Sequence, residues 1–435
     1  MTSLYKREAQ SISTLAHLRF YPLALTGGTG ARLKADDGRE LLDFAASWGA
    51  ASLGHSDPRI RAAVDRALSN QAGASYLSSA NAATVQLAEK LLSLVPPRAA
   101  GRIWFGHSGS DANETVARTV VAATGRPRII SFSGAYHGGT TGSAAVSGHP
   151  SQVIPKAPGL TLVPYPNSYA EGEQAAEKAL AELDRLLAGP VPPQEVAAFF
   201  IEPIQSDGGM LVPPDGFFKE IERRCRKYGI LLVSDEVKVG LGRTGQLHAF
   251  SHHSIEPDIV VFGKGLGGGL PISAVAGPEA IMNFAPAFAF QTLHGNPVCA
   301  AAALAVLEAI ETDRLAENAA KVGSHLLSRL QNLKQTHRLI GDVRGKGLAI
   351  GVELVSDRAT RKPAKRETAM TAYRAFEHGL VLFYVGVSSN VLEFTPPLTL
   401  SLDEADRGVE MFDIALADVE EGKTDPSLVS AFTGW

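Results

Sequence analysis

The chain has 435 residues, enough for two domains rather than one. Hydrophobic residues make up 45% and charged residues 20%, the balance of a globular protein, and a net charge of -4 without a basic run argues against a nucleic-acid or anionic-membrane binder. Two cysteines, Cys225 and Cys299, rule out a disulfide framework; with a polar Met1 to Leu15 and no apolar run of membrane length, the chain reads as cytoplasmic.

In chain order, the first clear element is a helix opened by Asp57 as N-cap and Pro58 at N1, with Ile60, Val64 and Leu68 on one apolar stripe. Apolar runs at Arg128 to Phe132, Val196 to Ile201, Ile230 to Ser234 and Asp258 to Phe262 read as strands buried on both faces. A helix through Phe217, Ile221 and Cys225 stops at Gly229, and Pro271 to Ala276 reads as a further strand. A long helix follows Asn296-Pro297, then charged helices and a β-rich stretch from Leu380 to Phe394. The alternation predicts an α/β fold with a mainly parallel central sheet in a large domain over residues 51–320. Residues 1–50 and 321–435 are expected to form a smaller α+β domain.

The chemistry concentrates at two strand ends. Asp235 closes one apolar run and Lys264 follows the next, so both are expected at the carboxyl edge of neighbouring strands, where open α/β sheets bind ligands. An acid and an amine there suit pyridoxal 5'-phosphate: the carboxylate keeps the ring nitrogen protonated and the lysine forms the Schiff base. Taken singly, Asp235 is an ordinary strand cap and Lys264 a solvated loop lysine. Gly263-Lys-Gly-Leu-Gly-Gly also fits a dinucleotide fingerprint, but a strand follows where that motif needs a helix. Ser108-Gly-Ser-Asp opens a helix whose bare amides suit a phosphate, with Gly109 and Ser110 as candidates against the alternative of a plain helix cap. Tyr136 in Gly-Ala-Tyr-His-Gly is a stacking platform for the cofactor ring, or a half-buried loop aromatic. No metal is expected.

Ser108-Gly-Ser-Asp-Ala-Asn, Gly134-Ala-Tyr-His-Gly, Glu202-Pro-Ile-Gln, Asp235-Glu-Val, Gly242-Arg-Thr-Gly, Lys264, Thr292-Leu-His-Gly-Asn-Pro and Val343-Arg-Gly-Lys-Gly-Leu together resemble the class III aminotransferase family, from about Gly28 to Pro397. The resemblance implies the fold type I architecture of pyridoxal-phosphate enzymes. It also implies a homodimer with shared active sites, in which Thr292 reaches the partner's phosphate. Within the family the likeness is to the α-amino-ε-caprolactam racemases, carried by Ser47-Trp-Gly-Ala-Ala-Ser-Leu, Glu202-Pro-Ile-Gln-Ser-Asp-Gly-Gly, Asp235-Glu-Val-Lys-Val-Gly-Leu, Val391-Leu-Glu-Phe-Thr-Pro-Pro-Leu-Thr and the terminal Gly434-Trp435.

Three positions depart from an aminotransferase pattern. Glu393 stands where many family members carry a carboxylate-gripping arginine, which favours a substrate without an α-carboxylate, an amino-lactam or amino-acid amide. Otherwise Glu393 points to solvent and Arg344 does the gripping. Lys238 replaces a common Gln, and Asp207 lies in a loop able to face the cofactor. Either could supply the second proton relay that racemisation needs, while Asp207 could instead order its loop as an Asx turn. By resemblance Trp48 and Tyr136 flank the substrate. Transfer of the amino group to a keto acid through the same lysine is the rival activity. A non-catalytic cofactor-binding regulator is disfavoured, since no basic helix-turn-helix segment precedes the fold.

Overall fold

A computed structural model describes residues 3–70 and 72–432. The terminal Gly434-Trp435 of the resemblance lies outside the described residues. Seven strands form the central sheet and are labelled here in chain order: β1 Arg102–Gly106, β2 Arg128–Phe132, β3 Leu160–Val163, β4 Val196–Ile201, β5 Leu231–Asp235, β6 Ile259–Phe262 and β7 Ser273–Gly277. They lie side by side as β1-β7-β6-β5-β4-β2-β3, and only β7 runs antiparallel to its neighbours.

The unbroken apolar runs follow from cover on both faces. All six residues of β4 are buried. Phe200, with Val233 on β5 and Val261 on β6, packs towards the helix Gly109–Thr124 through Val116 and Val120. Phe199 and Ile201, with Leu232 and Phe262, join the opposite core, which includes Phe218 and Ile221 of the helix Phe217–Tyr228. Burying such a side chain stabilises by about 1.5–3 kcal/mol.

Local chemistry sets the helix ends. The Asp57 side chain accepts from the Arg59 N–H before Pro58, and Asn296 accepts from the Val298 and Cys299 N–H groups before Pro297. The expected stripe on the helix Pro58–Ser69 is corrected at one position. Leu68 is 56% exposed, whereas Ile60 and Ala63 are buried, because the inward face ends a turn earlier. Leu25–Thr29 is a strand, and the chain reverses at Gly30, where φ is +56°.

Strands from the two ends of the sequence share a sheet: Leu25–Thr29, Arg32–Ala35 and Glu40–Asp43 are joined by Leu380–Val381. A third sheet is built from Ile340–Lys346, Ala349–Asp357, Val391–Phe394 and Phe383–Val385, with the short Lys362–Pro363 paired to Ala349–Asp357. The helix Leu315–Thr336 runs unbroken through residue 320. We propose placing the domain division at Arg314, whose φ of +51° marks the change of direction. Among the described residues no helix is long and apolar enough to cross a membrane.

Candidate active site

β5 and β6 are parallel neighbours, and they bring Asp235 and Lys264 to the same carboxyl edge. Both line a cavity of about 380 Å³, together with Gly109, Ser110, Tyr136, Asp207 and Lys238. The expected meeting of acid and amine is therefore present in the fold.

Asp235 is held on three sides. Asn113 Nδ2 donates to its Oδ2 at 2.8 Å, His137 Nδ1 bonds the same oxygen at 2.9 Å, and the Val237 N–H donates to Oδ1 at 3.0 Å. Burial opposes a charge on His137, but the bond to Asp235 and the charges of Asp235 and Glu202 outweigh it and raise the imidazole pKa. A carboxylate backed in this way suits a protonated ring nitrogen. Burial first, and then the charge of Lys238, lower the pKa of the Lys264 amine, which favours its neutral, nucleophilic form.

Gly109 and Ser110 begin the helix Gly109–Thr124, where the first N–H groups lack helical partners and an anion is favoured. Ser108 and Asp111 form a capping box there. A Cβ on Gly109 would come within 2.6 Å of Val237 Cγ1, so only glycine allows this close approach. These residues fit pyridoxal phosphate: amides for the phosphate, Asp235 for the ring and Lys264 for the aldehyde. Thr292 is exposed on the loop before Asn296 and does not line this cavity.

Lys238 and Asp207 belong to one buried triad. Lys238 Nζ lies 2.7 Å from Asp207 Oδ1 and 2.7 Å from Glu393 Oε2, and Thr395 Oγ1 donates to Glu393 Oε1 at 2.8 Å. Burial works against the Lys238 charge, but the two carboxylates hold its pKa well above the usual lysine range. Burial alone would raise Asp207; Lys238 and Lys264 lower it instead.

This corrects the reading of Glu393. It is only 1% exposed and sits behind Lys238 rather than on the cavity wall, so it neither meets a substrate directly nor points to solvent. Arg344 is no free grip either, since its guanidinium bonds Gly209 O, Met210 O, Asp342 and Glu353. Trp48 is half-buried and does not line the cavity; its ring packs on Phe20 and Phe383, and Lys238 Nζ stands 5.1 Å from its centroid.

Several residues of the site went unforeseen. Asn113 and His137 lie inside the motifs singled out above, and the signal for Asn113 was an amide on the apolar face formed by Ala112, Val116 and Val120. Ala46, Ser47 and Trp48 all adopt positive φ, conformations that cost about 1–3 kcal/mol each. Asp43 Oδ1 holds that turn by accepting from the Ala45 and Ala46 N–H groups. His107, Asp111 and His294 come within 4.8 Å of one another, a spacing able to hold a cation. The Asp111 oxygens already accept from the His107 and Ser108 N–H groups and from Ser273 Oγ, which accounts for its position as a helix cap.

The triad makes a stability prediction. Lys238→Met would leave Asp207 and Glu393 facing each other without their cation, a loss of about 3–5 kcal/mol. The lowered Asp207 pKa stabilises the fold above the unfolded carboxyl value of about 3.9, and this contribution is lost as pH falls through the folded value. The raised Lys238 pKa stabilises below about 10.4 and is lost only as pH rises through its folded value. Urea unfolding should therefore show the largest deficit near neutrality and a shrinking one in acid, as Asp207 takes up a proton. A deficit independent of pH would contradict the ion-pair account.

The sequence matches the family described as aminotransferase class III over residues 16–416. It is 38% identical to the alanine/serine racemase of Pyrococcus horikoshii, an alignment covering 98% of this chain and 92% of that one. It is 36% identical to the leucine/methionine racemase of Thermococcus litoralis, with 99% of each chain covered. The omega transaminase of Pseudomonas jessenii, solved in complex with PMP, superposes with a TM-score of 0.89 at 32% identity, covering 97% of this chain and 99% of that one. The chain belongs to the class III aminotransferase family, the pyridoxal-phosphate-dependent enzymes of fold type I.

Proposed function

We propose that this enzyme is a racemase acting on α-amino-ε-caprolactam and α-amino-acid amides. The observation that carries the reading is that two side chains able to carry a proton, Lys264 and Asp207, line one cavity. Racemisation needs one group to take the α-proton and another to return it, whereas transamination is served by a single lysine. The bound cofactor supplies the electron sink that makes the α-proton removable. Asp207 is suited to act as a base because Lys238 keeps it anionic, and Lys264 can return a proton; for the other enantiomer the roles exchange. Lys238 itself is spent on Asp207 and Glu393, so we assign it the holding of Asp207 rather than proton transfer.

The substrate class rests on charge. Among the described residues lining the cavity there is no arginine, and the triad of one ammonium and two carboxylates disfavours a third carboxylate nearby. A neutral amide avoids that repulsion. The racemase relatives are named for free neutral amino acids, which supports racemisation of such acids as a second reading. Transfer of the amino group to a keto acid is the alternative from the wider family.

We further infer a homodimer in which Thr292 serves the partner's phosphate. In support, its loop is exposed and neighbours the exposed apolar side chains Phe290 and Leu293. Unbonded Cys225 and Cys299 suit the cytoplasm.

The test uses single enantiomers of α-amino-ε-caprolactam, alaninamide and alanine in deuterium oxide with no keto acid. Optical activity should decay while deuterium enters the α-carbon, faster for the lactam and amide than for the acid. Persistence of optical activity until a keto acid is added would support the aminotransferase instead. Faster decay for alanine would move the substrate class to free amino acids.

A further inference from the structure

We propose that Glu202 is a positioning residue for the second proton carrier: it ties the Asp207 loop to the Tyr136 loop and thereby sets inversion rather than α-proton exchange. The proposal rests on the racemase reading above. Glu202 follows the last residue of β4, is 5% exposed and lines the cavity, yet no step assigned so far uses it. Its two carboxylate oxygens serve different loops. Oε1 accepts from the Tyr136 N–H at 3.0 Å, while Oε2 accepts from the Ser206 N–H at 3.1 Å and from Ser206 Oγ at 3.3 Å. Ser206 immediately precedes Asp207, so a single side chain fixes the stacking aromatic and the proton carrier relative to each other.

The rest of the Asp207 loop is held from other directions. The Gly386 N–H donates to Asp207 O at 2.9 Å, and Arg344 bonds the carbonyls of Gly209 and Met210. Lys238 holds the Asp207 carboxylate. Gln205 Nε2 donates to Ser133 O at 3.0 Å and so also joins the two loops, but further from Asp207 and Tyr136; Glu202 bonds the backbone of Tyr136 itself and of the residue next to Asp207.

A carboxylate is a costly choice for a merely structural tie. Burial, with the charges of Asp235 and Asp207, pushes the Glu202 pKa up to about 7, against the opposing effects of His137 and the Tyr136 N–H. Only a carboxylate offers two acceptors to donors on opposite sides. Glutamine would turn an NH2 group towards one of them, and aspartate, one methylene shorter, would reach one loop only.

The test separates two rates on the holoenzyme in deuterium oxide, starting from the enantiomer of α-amino-ε-caprolactam whose α-proton Lys264 removes, the one that Asp207→Asn still exchanges: α-deuterium entry with retention, and inversion. Exchange with retention needs a single carrier; inversion needs both. Glu202→Gln should lower inversion about tenfold to a hundredfold, the scale of a small misplacement of a reacting group, while exchange stays within about threefold. Ser206→Ala, which removes only the hydroxyl tie, should shift the ratio in the same direction by about threefold. Asp207→Asn is the control arm. If Asp207→Asn leaves inversion intact, the relay assignment itself fails. If it stops inversion but Glu202→Gln changes both rates by the same factor, or neither, the positioning role is overturned. Should Glu202→Gln not yield folded holoenzyme, an unchanged ratio in Ser206→Ala overturns it equally.

Discussion

Lys264→Ala should give a folded protein that no longer captures pyridoxal phosphate covalently and has lost at least about 10⁴-fold in turnover, because one substitution removes both the nucleophile and a proton carrier. The fold should tolerate it. The lysine faces a cavity rather than filling the core, and its lowered pKa reflects the cost of holding an ammonium there, first by burial and then by Lys238. Alanine keeps the positive φ of 40° that lysine already adopts at this position, so the substitution adds no new backbone strain. Borohydride reduction followed by intact mass measurement reads capture directly. In the natural chain the adduct should map to Lys264 and in the variant it should be absent. An adduct on Lys238 with retained turnover would overturn the assignment; that amine is bound on two sides by carboxylates.

The positions of Asp235 and Lys264 were legible because each ends a continuous apolar run. In an α/β fold such runs are central strands whose carboxyl ends lie together. The helix start at Gly109 was legible for a similar reason, a Ser/Asp cap on an apolar-patterned helix. Glu393 was not legible in the same way. Its charge was evident, but the ammonium that neutralises it comes from Lys238, 155 residues earlier, and no local pattern encodes that pairing. The same holds for His137 and Asn113, which reach Asp235 across 98 and 122 residues. The strained turn at Ala46–Trp48 had no local sign at all, since three non-glycine residues do not advertise positive φ. It is held by the Ala45 and Ala46 N–H groups, which donate to Asp43 Oδ1, and by Thr395 Oγ1, which donates to Ala45 O from a distant strand end. Local chemistry therefore announced the strand ends and helix caps, whereas the charge balance of the pocket depended on long-range pairing.

Asp235→Asn tests the most sensitive of those pairings. The substitution keeps the shape but replaces an acceptor-only carboxylate with an amide; its oxygen can keep Asn113 Nδ2 and His137 Nδ1, which share one carboxylate oxygen, but its NH2 group then faces the Val237 N–H, another donor. One buried donor then lacks a partner, a cost of about 1–3 kcal/mol. Lys264 is untouched, so covalent cofactor capture should persist. The rate of α-proton exchange should nevertheless fall on the order of 10³-fold, because a neutral amide cannot keep the cofactor's ring nitrogen charged. The stability loss carries its own signature. In the natural chain the raised His137 pKa contributes stability that is complete below the unfolded value of about 6.5 and is lost as pH rises through the folded value. Removing Asp235 removes that contribution, so the variant's deficit in urea unfolding should be larger at pH 6 than at pH 9. A variant that exchanges the α-proton at the natural rate would place the ring-nitrogen partner on another residue. A deficit that grows with pH would show that His137 is neutral beside Asp235, and that its role is to orient the carboxylate rather than to balance its charge.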